Sequence, residues 1–445
     1  MPSAEALQLR PAPRPSTPVG GAVVELHVET DIAAGLARWR DFENRLAATR
    51  GLTAGLEKGS PPGRFPIPYA CSADWTETWL RHYGGLCPHR ILTGIVSHGG
   101  SERVVGIALV SRSRLRKGPF VLRMWHLGTA GEPDGHSVCV EYNRLLAEPE
   151  WRTQFEAEVV YWLKTHGRDG VALDGLAPDE WAGLAAQFPG TKVRSASSKY
   201  FDLTRARAAG TDVLSQLGRS TRQNLRRKLR DYGDIETTWA EDVPTAQGIL
   251  DELIELHQAR WNAVGKPGAF ASPRFAAFQR DLLTRWIPER RIVAFRTRHQ
   301  GETVGCLVLL VDQGRILDYY SGFVSFEKKP SPGMVTHLLC MQEALARGYT
   351  AYDFLVGEKQ HKDNLSTDEN PLVWGIWQPD TWKLRAYHAV RSLKHSALRL
   401  LGRESAECSP GVATSPADQT TGGRPQETVV LTAAETDHPV ERSCS

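Results

Sequence analysis

The stretch "KKPSPGMVTHLLCMQEALARGYTAYDFLVGEKQHK" (328–362) decides how this chain is read. A basic Gly/Pro loop opens a helix whose apolar stripe is Met334, Leu338, Met341 and Leu345. Gly348 ends that helix, and "TAYDFLVG" (350–357) continues as a buried strand. Asp353 interrupts the apolar run, and a carboxylate there needs a reason. It marks either the point where a strand emerges into a cleft or a pairing with Lys362.

Working outward, two helices precede this stretch. The first carries Leu250, Leu253, His257 and Trp261, and the second starts at Ser272–Pro273 with Phe275, Phe278, Leu282 and Trp286. Three strands follow, "RIVAFRTR", "TVGCLVLLV" and "ILDYYSGFV", joined by the hairpin turns "HQGE" and "DQGR". The first half of the chain has a similar order. Helix "SADWTETWLRHYGG" leads to strands "RILTGIVS", "RVVGIALVS" and "FVLRMWHLG", then to helix "WRTQFEAEVVYWLKTHG" and strand "VALDGL". Asp174 holds a place like that of Asp353, and Val105–Gly106 matches Val304–Gly305. The first half also carries an additional segment, 129–149, longer than ordinary connections. The expected fold is α/β with a mixed sheet, repeated in tandem, each repeat having one right-handed parallel crossover. The expected boundaries are a disordered 1–22, halves at 23–203 and 204–403, and a disordered tail, 404–445.

Composition narrows the function. The chain has 445 residues, 41% hydrophobic, 24% charged, with a net charge of +3, so no global field calls for DNA. Its seven cysteines form no CxxC pair, so neither a zinc motif nor a disulfide framework is expected. The longest apolar runs are far too short for a membrane span, and the N-terminus has no signal-peptide core, so a cytoplasmic protein is expected.

The crossover helix begins at the carboxyl edge of the sheet, where ligands of such units bind. There Ser331 can cap free amides, Gly333 permits close backbone approach beside Met334, and Lys328 and Lys329 add positive charge. Together they form a candidate anion cradle or a plain helix start. The first-half helix has no such Gly-rich start. Asp318 and Tyr320 alternate along one strand and are expected to share a face lining the cleft. Arg219, Arg222, Arg226 and Arg230 recur on one face of a basic helix. That is a solvated face, or a site for phosphates, acidic glycans or RNA.

The element order, "SPGM" and "GYTAYDFLVGEKQHK" together resemble the GNAT superfamily. More narrowly they resemble the tandem-GNAT group of CelD-type (BioF-like) acetyltransferases and FemAB peptidyltransferases. Ser331, Pro332, Gly333, Gly348, Asp353, Phe354, Leu355, Gly357 and Lys362 match that pattern; Val356 and His361 depart from it, where arginine and tyrosine are common. The resemblance implies two tandem GNAT-like halves, the first degenerate and the second binding acyl-CoA beside its third strand, with the pyrophosphate on the helix N-terminus.

Transfer from a thioester to an amine needs a base, oxyanion donors and an acid for the thiolate. Asp353, Glu358 and His361 are the base candidates, and His361 titrates near neutrality if unperturbed. Lys362, Asp318, Tyr320, Arg222 and Arg226 are candidates for holding substrate, and Tyr387 is the proton donor that the resemblance suggests. The expected function is acyl-CoA-dependent N- or O-acylation of a small molecule or glycan by direct attack, with no metal. The alternatives are aminoacyl-tRNA-dependent peptidyl transfer and a non-catalytic polyanion-binding module.

Overall fold

The computed structural model describes residues 23–49, 67–133, 135–327 and 329–400. The segments 1–22 and 404–445, together with Lys328, Cys408 and Cys444, lie outside the described residues. The described chain forms two compact units, one ending at Pro379 and one starting at Asp380. The second is the helix Trp382–Leu400, where Arg385 grips Asp380 through Nε at 2.6 Å and Nη2 at 2.5 Å.

The first unit is built on one mixed sheet. Its strands are β1 (Glu25–Val28), β2 (His89–His98), β3 (Ser101–Lys117), β4 (Phe120–Leu127), β5 (Leu146–Ala147), β6 (Val171–Leu176) and β7 (Lys192–Asp202). They continue as β8 (Glu236–Trp239), β9 (Ile292–His299), β10 (Glu302–Asp312), β11 (Arg315–Phe323), β12 (Ala351–Val356) and β13 (Asp368–Trp377). The spatial order is β1-β2-β3-β4-β6-β13-β7-β12-β11-β10-β9-β8, with β5 beside β3. This order reads almost the same from either end. Each half has an antiparallel set and one parallel pair, β4 with β6 and β11 with β12. The last strand of each half crosses over: β7 pairs with β12, and β13 pairs with β6. The repeat expected from element order is therefore present, and the two halves are joined by exchanged strands.

Local chemistry explains the hairpins. Gln300–Gly301 and Gln313–Gly314 have φ of 54° and 80°, and 51° and 86°, the two positive values of a type I′ turn. One face of the sheet carries a continuous core under the helices Ile32–Thr49, Ala73–Tyr83, Val243–Ala263 and Pro273–Trp286. The other face carries separate cores, under Arg152–His166 in the first half and Pro332–Ala346 in the second. Among the described residues, no helix is long and apolar enough to cross a membrane, and Cys71, Cys87, Cys306 and Cys340 are free thiols.

The matched glycines of the repeat, Gly106 and Gly305, make room for these crossover helices. A Cβ on Gly106 would lie 2.5 Å from the Phe155 ring, and one on Gly305 would lie 2.5 Å from Thr336 Oγ1. Gly106→Ala and Gly305→Ala should each cost ~1–3 kcal/mol through overpacking, with the two effects adding because the sites are separate. Exposed Gly248, inside a helix with no atom near its missing Cβ, should instead gain roughly 0.5–1 kcal/mol on substitution by alanine. Guanidinium unfolding of the three variants measures both signs.

Candidate active site

In the second half β11 and β12 separate. Their parallel ladder pairs Arg315–Leu317 with Ala351–Asp353, while β11 runs on to Phe323. A β-bulge helps to open the gap, because the β10–β11 register shifts between Val308↔Tyr320 and Leu309↔Asp318. An additional residue on one strand breaks the alternation of faces. Asp318 therefore faces the helix Pro332–Ala346, with His337 Nε2 at 3.8 Å. Tyr320 turns to the opposite core, between Phe270 and Phe275 at 5.5 and 5.0 Å. The expectation that Asp318 and Tyr320 share a face is corrected by this bulge, and Tyr320 does not line the gap.

The helix Pro332–Ala346 starts beside the end of β11, and Phe323 packs where a Cβ on Gly333 would lie 3.2 Å away. Ser331 occupies the N-cap with φ 53°, ψ 50°, and its side chain makes no capping bond. The expected cap is thus not made, and Ser331 takes the left-handed conformation where an N-cap residue is ordinarily extended. Lys329 reaches His299, Nζ to Nδ1 at 2.7 Å, and Met334 is half-buried against the core of this half. Arg222 and exposed Arg226 lie on the helix Arg219–Tyr232, Arg222 Nη1 donating to the Ser215 carbonyl at 3.1 Å, and Leu225 anchors the helix beneath them.

Asp353 is fully buried, so it does not emerge into a cleft. Nor does it pair with Lys362. Its partner is the Arg315 guanidinium, and it also accepts from Tyr142 Oη at 2.6 Å, Ser198 Oγ at 2.5 Å and the Leu355 amide at 2.8 Å. Asn370, with its amide oxygen turned to Arg315, accepts from Nη1 at 2.8 Å and Nη2 at 2.7 Å. Buried Lys362 donates instead to the Leu355 and Val356 carbonyls, both at 3.1 Å. Leu355 itself is held at φ 57°, a strained value for a bulky side chain.

Around this frame the gap gathers a titratable cluster. Burial pushes the Asp318 carboxyl up to about 6. It pushes the buried His337 imidazole down to about 3, and that of His361 also to about 3, where His337, Lys359 and Lys362 add to the effect. The two rings stack, 5.5 Å apart and 9° from parallel. His361 is therefore neutral at physiological pH rather than poised to titrate there, because it lies among apolar groups and cations. Glu141 joins from the additional segment, its Oε2 accepting the Val356 amide at 2.9 Å. Burial raises its pKa to about 7, partly offset by Lys362. Glu358 is exposed on the loop beyond β12, and Tyr387 belongs to the second compact unit. A cavity of about 360 Å³ in the first half, lined by Ser113 and Arg112, Arg114 and Arg123, contains none of the groups gathered at the gap.

Sequence reasoning missed Glu141, Tyr142, Ser198, Arg315 and His337. The signal available for the first two was the unexplained length of 129–149.

Residues 219–363 match the family model described as Acetyltransferase (GNAT) domain. Among solved structures, that of FemX superposes with a TM-score of 0.51 at 11% identity, covering 82% of this chain and 99% of that one. The C-terminal domain (DUF2156) of a putative lysylphosphatidylglycerol synthetase from Agrobacterium fabrum gives 0.46 at 14% identity, over 82% and 96% of the two chains. A tandem GNAT protein from the clavulanic acid biosynthesis pathway gives 0.41 at 14% identity, over 80% and 100%. No curated protein matches the chain. The repeated topology, the family match and the FemX superposition make the fold a mixed α/β sheet of two GNAT-like halves, the second matching the acetyltransferase domain model.

Removing one partner of a buried ion pair strands the other charge, at a cost of ~3–5 kcal/mol. Asp353→Asn should lower the unfolding free energy by about that amount, and Arg315→Met should also destabilise. The double variant should lose clearly less than the sum of the two, as read by denaturant unfolding in a double-mutant cycle.

Proposed function

We propose that this protein is an acyltransferase, moving an acyl group from acyl-CoA to an amine or hydroxyl of a small-molecule or glycan acceptor. The observation that carries this reading is the opened β11–β12 gap. It leaves one strand edge running past its ladder and sets a helix N-terminus with an uncapping Ser331 beside it. Strand amides and carbonyls of that edge suit the amide-rich pantetheine arm. The first-turn amides at Gly333 and Met334, with Lys329 nearby and Lys328 preceding it, suit its pyrophosphate.

In this proposal Glu141 is the general base. Its pKa of about 7 matches the task, and Val356 fixes its carboxylate at the end of β12. The acceptor's nitrogen or oxygen attacks the thioester carbon while Glu141 takes its proton. The C–S bond then breaks and the thiolate leaves as CoA after protonation. The reading places acyl transfer in the second half, 204–403, with the first half, 23–203, as its support. It favours the CelD-type group over peptidyl transfer. Two observations favour the second reading, an aminoacyl-tRNA donor: the shared fold with FemX and the basic helix bearing Arg222 and Arg226.

Calorimetric titration with acetyl-CoA, a longer acyl-CoA and charged tRNA separates these readings. We expect acyl-CoA to bind with a dissociation constant on the order of micromolar and to weaken at least ~10-fold in Gly333→Val. Salt-dependent tRNA binding without CoA binding would move the assignment to peptidyl transfer. Once an acceptor is found, kcat/KM should rise with pH through about 7 as Glu141 deprotonates. Glu141→Gln should remove that limb and lower the rate by ~10²–10⁴-fold.

A further inference from the structure

Three side chains in the gap have no task in the acyl-transfer proposal. Asp318 comes from β11, His337 from the crossover helix and His361 from the short helix Gln360–Leu365. One ligand atom from each lies within 4.8 Å of the other two. We propose that Asp318, His337 and His361 bind one divalent transition-metal ion, with its open positions facing the gap.

Two independent observations support the site. His337 is 1% exposed and Asp318 7%, yet His337 Nε2 and Asp318 Oδ1 have no hydrogen-bond partner. Leaving buried polar atoms unmet is costly, and a native structure does so where something else meets them. The His337 Nε2 to Asp318 Oδ2 distance of 3.8 Å is too long for a hydrogen bond. It is close to the roughly 3.4 Å between ligands of a tetrahedral ion at about 2.1 Å. The second observation is the support behind His337: its Nδ1 meets Tyr352 Oη at 2.8 Å. That bond orients the ring so that Nε2 points at the carboxylate, as outer partners of metal-binding histidines do.

The donor set also limits the ion. Two imidazoles and one carboxylate suit zinc, cobalt, nickel or ferrous iron, whereas magnesium and calcium prefer all-oxygen sites. Lys362 and Lys359 are the neighbouring cations. The Lys362 ammonium is drawn toward the Leu355 and Val356 carbonyls. Half-buried His361 follows Gly357, whose φ is 152°.

The test uses the full chain, stripped with a chelator and titrated with zinc by calorimetry and with cobalt(II) by visible absorption. Neither measurement involves an acyl donor, so failure of this proposal and failure of the acyl-transfer reading remain distinct. One ion per chain is expected, with cobalt bands lacking thiolate charge transfer and a zinc-dependent rise in melting temperature. Asp318→Asn and His361→Ala should abolish all three signals. Tyr352→Phe should weaken binding by ~10–100-fold. His361→Ala alters a half-buried position, so its fold, checked by circular dichroism, should survive. No stoichiometric binding, unchanged binding in folded His361→Ala, or a cobalt spectrum showing sulfur ligands would each overturn the proposal.

Discussion

The structure depends on one buried ion pair. Asp353 of β12 holds Arg315 at the start of β11, and each further partner of this pair comes from a different part of the chain. Ser198 belongs to the exchanged strand β7, Asn370 to β13, and Tyr142 to the additional segment of the first half. Desolvating a carboxylate and a guanidinium is expensive unless nearly all their bonding capacity is met, and here four donors converge on one carboxylate. The same contacts fix where the β11–β12 ladder stops. Asp353 belongs to the last pair, Leu317↔Asp353, and its side chain holds the Leu355 amide just beyond, in the left-handed conformation. A strand turned aside at that point can no longer follow its neighbour, so the gap begins where the ion pair ends.

The first half carries a counterpart at the same register. Arg315 stands opposite Ala351, two residues before Asp353, and His126 stands opposite Ala172, two residues before Asp174. His126 bonds Asp174 at 2.8 Å through Nδ1 and Ser113 at 2.9 Å through Nε2. The two halves therefore share an architectural pair but not its chemistry. An arginine can be gripped by several acceptors while permanently charged, whereas a histidine offers two nitrogens and carries charge only when protonated.

Much of the architecture was legible because it follows from local rules. Gln-Gly turns, helix starts at Ser272 and Pro332, and the Val-Gly repeat each have a short-range cause. The bulge at Tyr319–Tyr320 was not legible, since it depends on how β10 pairs across the sheet, and it reversed the reading of Tyr320. Asp353 was conspicuous in sequence, but its partner could not be read from proximity along the chain. Lys362 is nine residues away and Arg315 thirty-eight, yet the sheet places Arg315 on the neighbouring strand. The histidine His361 was noticed for its ordinary titration range, which burial beside His337 removes. The cluster of Asp318, His337 and His361 draws on three elements with no spacing motif, so cysteine and histidine patterns could not reveal it.

The additional segment 129–149 links the asymmetry of the halves to the site. In the first half β4 ends at Leu127, one residue after its last parallel pair, and the chain turns away at Gly128 with φ 80°. β4 therefore does not run on past its ladder, whereas β11 continues for six residues past Leu317. The residues that leave the first half at Gly128 cross to the second and deliver Glu141 and Tyr142 to it. Cys139 and Tyr142 take positive φ on the way, at 44° and 57°, as Ser331 and Leu355 do on the rim of the gap. Such conformations persist only where surrounding contacts enforce them, and Tyr142 and Leu355 are held by their hydrogen bonds to Asp353. The two halves are thus built into one another: the segment that leaves β4 in the first half supplies Tyr142 and Glu141 to the strand β12 of the second.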